Sequence, residues 1–160
     1  MLQAGAAYIP TDRYYALLDN RDLASHENGS ALFADISGFT PLTEAYVRLL
    51  GARRGAEELT RQLNLIYDAL IADVSRYGGS VIFFSGDAIT CWFGEGWPGD
   101  ANNPPAVRAV ACGAAMLQTM MAFSTLTMPD DSPINVGIKV SIASGAARRF
   151  LVGDPAIQYW

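Results

Sequence analysis

Two acidic residues stand where this chain can do chemistry. Asp35 closes the apolar run Leu32-Phe33-Ala34 and leads into Ile36-Ser37-Gly38-Phe39-Thr40, while Asp87 lies within Phe84-Ser85-Gly86-Asp87-Ala88-Ile89-Thr90. Each ends a run that reads as a buried strand, and each has a turn-permitting glycine beside or near it. Hard oxygen donors placed this way converge on Mg²⁺ or Mn²⁺, and a divalent ion between carboxylates is an arrangement for phosphoryl transfer. Taken singly, each acid also has a plain structural role, Asp35 as a turn or helix-cap residue and Asp87 as a hairpin-turn residue.

Other reactive side chains point to less. Cys91 and Cys112 are embedded in apolar segments without Cys or His at metal-ligand spacing, the pattern of reduced packing thiols. His26, the one histidine, falls in Ala24-Ser25-His26-Glu27-Asn28-Gly29, a polar stretch expected to be a solvated loop. With 160 residues, 51% of them hydrophobic, the chain can build one core, and no composition shift divides it. A net charge of −5 and eleven scattered basic residues argue against a nucleic-acid partner. No signal-like N-terminus and no apolar run near 18 residues stands out, so a cytoplasmic protein without membrane contact is expected.

The elements that must position the acids follow from periodicity. Residues 1–29 read as a leader with a short helix from Thr11, as N-cap, to Leu18. A strand is expected over 30–36, then a helix with Thr40 as N-cap, Pro41 at its first position and Glu44 in its first turn, ending at Leu50. A longer helix from Arg53 to Tyr77 puts Leu59, Leu63, Ile66, Leu70 and Val74 on one stripe, with Glu57 and Arg61 as an i,i+4 pair, and Gly78-Gly79 stops it. Ser80–Phe84 and Ala88–Phe93 read as a hairpin apolar on both faces, hence central. Pro104-Pro105 opens a helix with Val107, Val110, Ala114, Leu117 and Met121 as its apolar stripe and Met116 and Met120 as additional apolar surface. Strict alternation from Ile134 to Ile142 predicts a strand, and Phe150–Val152 begins another. The order β-α-α-β-β-α-β gives an α+β fold with a ferredoxin-like core, in which the first strand and the hairpin adjoin and Asp35 and Asp87 become neighbours.

At these motifs the chain resembles the catalytic domain of class III adenylate and guanylate cyclases. Phe-x-Asp-Ile-x-Gly-Phe-Thr at 33–40, Gly78-Gly79 and Gly86-Asp87 carry the resemblance over about residues 30 to 160. Arg54-Gly55-Ala56-Glu57-Glu58-Leu59 and Lys139-Val140-Ser141-Ile142-Ala143-Ser144-Gly145 are most similar to the soluble, bicarbonate-responsive adenylyl cyclases and their bacterial relatives. The resemblance implies two Mg²⁺ or Mn²⁺ ions held by Asp35, Asp87 and the backbone carbonyl of Ile36. It also implies ATP as substrate, with GTP as the alternative, phosphates at Ser37, Gly38, Phe39 and Thr40, and a second cyclase domain, in a homodimer or intramolecular pair, completing the site. Cyclic AMP and pyrophosphate are the implied products.

Two departures qualify it. Where relatives that read adenine carry Lys, four residues before the hairpin acid, this chain has Phe83, which cannot donate a hydrogen bond to a base or receive bicarbonate. The second base-selecting residue and the transition-state Asn and Arg of the family would lie beyond Trp160, so 30–160 reads as a catalytic domain incomplete at its C-terminus. Arg149 falls near the family's polyphosphate-binding cation, although Arg148, Arg149 and Lys139 also read as solvated charges. The competing readings are a degenerate cyclase-homology module used for regulation or dimerisation, and a diguanylate-cyclase-like palm domain, disfavoured by the lack of a Gly-Gly-Asp-Glu-Phe hairpin.

Overall fold

The computed structural model describes residues 9–95 and 103–150. Its elements are α1 (Thr11–Leu18), β1 (His26–Ser37), α2 (Phe39–Leu50), α3 (Ala52–Arg76), β2 (Ser80–Ser85), β3 (Ala88–Gly94), α4 (Pro105–Met120), β4 (Thr125–Thr127), β5 (Pro133–Asn135) and β6 (Gly137–Arg148). The main sheet runs β2-β3-β1-β6 with every pair antiparallel, and β4-β5 form a small separate ribbon. This is the α+β, ferredoxin-like arrangement expected from the order of elements, with β1 flanked on both sides.

Period-two alternation decides which face of β1 is covered. Ser30, Leu32, Ala34 and Ile36 are buried, along with Ile89, Cys91 and Phe93 of β3, beneath Ile66, Leu70 and Val74 of α3 and Cys112 and Met116 of α4. The opposite face carries Phe33, Asp35 and their cross-strand partners; α1 packs on this face against β2, the Asp12 N–H donating to Ser80 Oγ at 3.0 Å, toward the end away from Asp35. Helices α2 and α3 meet closely because Gly55 has no side chain: a Cβ there would lie 2.8 Å from the Tyr46 carbonyl.

Several expectations are corrected. β1 begins at His26, which is therefore a strand residue, exposed, with Nδ1 3.2 Å from Ser25 Oγ. α2 starts at Phe39 with Gly38 as N-cap, so Pro41 is its third residue and Glu44 lies past the first turn; the first intrahelical bond, Leu42 N–H to Gly38 O, does not need the missing proline donor. Glu57 pairs with Arg53, and Arg61 with Glu58. β2 is an edge among the described strands, with Ile82 bulged out of register and Phe83 and Phe84 exposed, so apolarity on both faces did not make it central. The 134–142 alternation is broken at Val136, whose N–H turns to the Ser124 carbonyl, leaving 133–135 to pair with β4. Phe150 lies in no strand, and residues 151–152 fall outside the described ones.

α4 shows the largest reversal. Its buried side is Arg108, Ala109, Cys112, Gly113, Met116 and Met120, while the expected core stripe, Val107, Val110, Ala114 and Leu117 with Met121 just past the helix end, faces outward. Both faces are apolar, and the small residues decide: a Cβ on Gly113 would sit 3.2 Å from Val140, so this side alone approaches the sheet closely. The resulting stretch Pro105–Phe123 is, by length and composition, apolar enough to cross a membrane, contrary to the absence of such a run expected above. It nonetheless docks its inner face on β1, β3 and β6.

Candidate active site

Asp35 sits two residues before the end of β1, opposite Ala88 on β3 and Lys139 on β6. Asp87 precedes Ala88 in the two-residue turn Gly86-Asp87 that joins β2 to β3. Gly86 has φ 61° while Asp87 keeps a negative φ, the sign pattern of a II′ turn, whose first central position favours glycine. The Asp87 carbonyl accepts the Ile36 N–H at 3.0 Å, binding the turn to the residue after Asp35. The fold therefore brings the two expected acids to one end of the sheet, both half-buried.

Neither acid has a salt-bridge partner among the described residues. The nearest charge in register is Lys139, exposed and directly across from Asp35. Also among the described residues, no three of His, Cys, Asp and Glu form a metal cage. A pair of carboxylates is the donor set that suits Mg²⁺ or Mn²⁺, which keep waters and take substrate phosphate oxygens for their remaining positions. These residues fit such ions as oxygen donors, with the Ile36 carbonyl available on the same short segment.

Beyond Asp35 the chain turns sharply into α2. Gly38 has φ 86°, and a Cβ there would lie 2.5 Å from the Asn135 carbonyl, so glycine is required by the chain's own packing as well as by its left-handed backbone. α2 has no side-chain cap, and the first-turn N–H groups of Phe39 and Thr40 lack intrahelical acceptors, which makes this end attractive to phosphate.

The register places Phe83, Thr90, Phe33 and Ser141 in one row across the sheet, two residues along β1 from the Asp35 row. Phe83 is 62% exposed and Phe33 44%, two strands apart on the same face, roughly 10 Å by strand spacing. Phe33 was missed in the sequence, although its i,i+2 relation to Asp35 fixes it to the same face. Tyr67 of α3 was also missed: its hydroxyl donates to the Gly86 carbonyl at 3.0 Å. Burial first, then the Asp87 and Asp35 carboxylates, push its pKa up to about 12, so it stays a donor.

Arg149 is not part of this site. It binds Asp12, and Glu27 at 2.7 Å, and Glu27 also accepts the Trp92 indole N–H at 3.1 Å. Burial opposes its charge, but the two carboxylates outweigh that and hold the guanidinium above its ordinary pKa. Glu27 and Asp35 are eight residues apart on one strand, roughly 26 Å, so the phosphate role expected for Arg149 does not match its place.

No protein-family model matches the chain. It is similar to adenylate cyclase type 10 of Oryctolagus cuniculus, 27% identical over 150 residues, which is 93% of this chain and 9% of that protein. Among solved structures it is similar to the adenylyl cyclase CyaB from P. aeruginosa, 26% identical, covering 76% of this chain and 57% of the other with TM-score 0.57. It also shares the fold of a bacterial light-regulated adenylyl cyclase, with TM-score 0.68 at 18% identity, covering 96% of this chain and 42% of the other. The resemblance read from the motifs thus holds in sequence and in fold.

Proposed function

We propose that this chain, a class III nucleotide cyclase domain in sequence and fold, supplies the metal-binding half of a cytoplasmic active site that converts ATP to cyclic AMP and pyrophosphate, completed by a second cyclase domain. The observation that carries this reading is the meeting of Asp35 and Asp87 at the end of the sheet away from α1, with no cation paired to either among the described residues. Asp35, Asp87 and the Ile36 carbonyl would hold two divalent ions, whose chemistry is to acidify the ribose 3′-hydroxyl and offset charge on the departing pyrophosphate. The chain's own part is positioning. The acids orient the triphosphate, the first turn of α2 offers N–H groups to its oxygens, and Phe33 and Phe83 provide an apolar surface for the base. Calorimetry of Mn²⁺-ATP binding tests it: wild type binds, and Asp35→Ala and Asp87→Ala each lose most of the affinity. Equal binding by all three would refute the role of the acids.

A second reading, a cyclase-homology domain kept for regulation or dimerisation, is favoured by Phe83 alone. An exposed phenyl ring can stack on a base but cannot read its edge or hold an anion. Phe83→Lys separates the two readings. A gain of ATP over GTP preference, or of bicarbonate response, places the position in a working pocket, no change in either means that it faces neither pocket, and absence of turnover with a second cyclase domain present supports the non-catalytic module.

A further inference from the structure

Asp87 sits on an exposed turn at the tip of an edge strand, yet a metal-binding acid must be held still, and the strand beneath it is poorly suited to do so. β2 pairs only with β3 among the described strands, is bulged at Ile82, and exposes Phe83, Phe84 and Ser85. Gly86 supplies the turn its left-handed residue and at the same time its most flexible one.

The peptide planes on both sides of Asp87 are nevertheless anchored from elsewhere. The plane after Asp87 is fixed by its carbonyl, which accepts the Ile36 N–H of β1 at 3.0 Å. The plane before Asp87 contains the Gly86 carbonyl and the Asp87 nitrogen, and Tyr67 Oη donates to that carbonyl at 3.0 Å. The Tyr67 ring is itself braced edge-on against Phe84, with centroids 5.4 Å apart and planes at 80°. Tyr67 adjoins Ile66 of the buried Ile66, Leu70 and Val74 stripe of α3, so the bond connects the turn to a helix anchored in the core.

We propose that Tyr67 is a positioning residue for the acid pair: its hydroxyl, through the Gly86 carbonyl, sets where Asp87 stands relative to Asp35. This rests on the metal-binding reading above and adds a residue that touches neither metal nor nucleotide. Tyr67→Phe keeps the ring and its contact with Phe84 and deletes only the anchor. Expected are faster amide hydrogen exchange over residues 85–88 and a roughly 3- to 10-fold weaker Mn²⁺-ATP affinity, the range that losing one neutral hydrogen bond allows. If Tyr67 acts through Asp87, Tyr67→Phe costs nothing further in an Asp87→Ala background.

A merely structural tyrosine would lower the unfolding midpoint while leaving the affinity of the folded protein unchanged, and that outcome overturns the proposal, as does full additivity with Asp87→Ala. Should wild type, Asp35→Ala and Asp87→Ala all bind alike, it is the metal-binding reading that falls. Exchange over 85–88 then decides the anchor by itself: acceleration in Tyr67→Phe upholds it, and unchanged exchange overturns it.

Discussion

The two ends of the β sheet treat their acids in opposite ways. At one end Asp12 and Glu27 share the guanidinium of Arg149, Asp12 also accepts the Ser80 hydroxyl, and Glu27 accepts the Trp92 indole. Close by, buried Arg108 donates to the carbonyls of Gly78 and Gly94 and lies 5.9 Å over the Phe93 ring, tying the end of α3 to the end of β3. At the other end Asp35 and Asp87 stand together without a salt bridge among the described residues. Under the proposed function the difference separates scaffold from site: paired charges hold the fold, and the unpaired like charges are the ones assigned to the metal ions.

The comparison breaks most visibly when the paired end loses its cation. Arg149→Met leaves two carboxylates, each about four-fifths buried, without their partner. It should cost about 2–3 kcal/mol, below the fully buried case because some solvent reaches the group, read as a lower denaturant midpoint at pH 7. Removing charge at the open end should do the reverse: Asp35→Ala or Asp87→Ala, without metal, leaves stability unchanged or raises it by up to about 1 kcal/mol, since like charges no longer repel. Equal destabilisation at the two ends would erase the distinction.

That contrast was half legible in sequence. The acids were found because each combines a strand end with turn chemistry, and such local signals survive folding. Arg149 was misplaced because its partners lie 122 and 137 positions away, at Glu27 and Asp12, and no local pattern announces such a contact. The same distinction runs through the fold. The α3 stripe of Ile66, Leu70 and Val74 was readable since its other face is polar, whereas α4 is apolar on both sides and only packing against Val140 and Ile142 selects the side with Gly113. Tyr67 was invisible because its hydroxyl matters through a carbonyl 19 positions away.

The smallest expected effect concerns the core between the two ends. Burial pushes the thiols of Cys91 and Cys112 up to about 12 from an ordinary 9. A raised folded pKa means that the stability held by the neutral thiol is fully present below about pH 9 and is lost as pH rises toward 12. Each thiol should therefore account for about 1 kcal/mol of lost stability by pH 10. Neither thiol should react with a thiol reagent at pH 8 until the chain is unfolded, and rapid labelling of the native protein would show that the core is open.

Mn²⁺ uptake, followed by the electron paramagnetic resonance signal of the free ion in the presence of ATP, tests the central claim most directly, because it counts ions at the open end. Wild type and Glu27→Gln, a charge change at the paired end, should remove up to two Mn²⁺ per chain beyond what ATP alone binds, and Asp35→Ala and Asp87→Ala should each abolish that excess. An excess that persists in both acid variants, or that disappears in Glu27→Gln while the chain remains folded, would contradict the account.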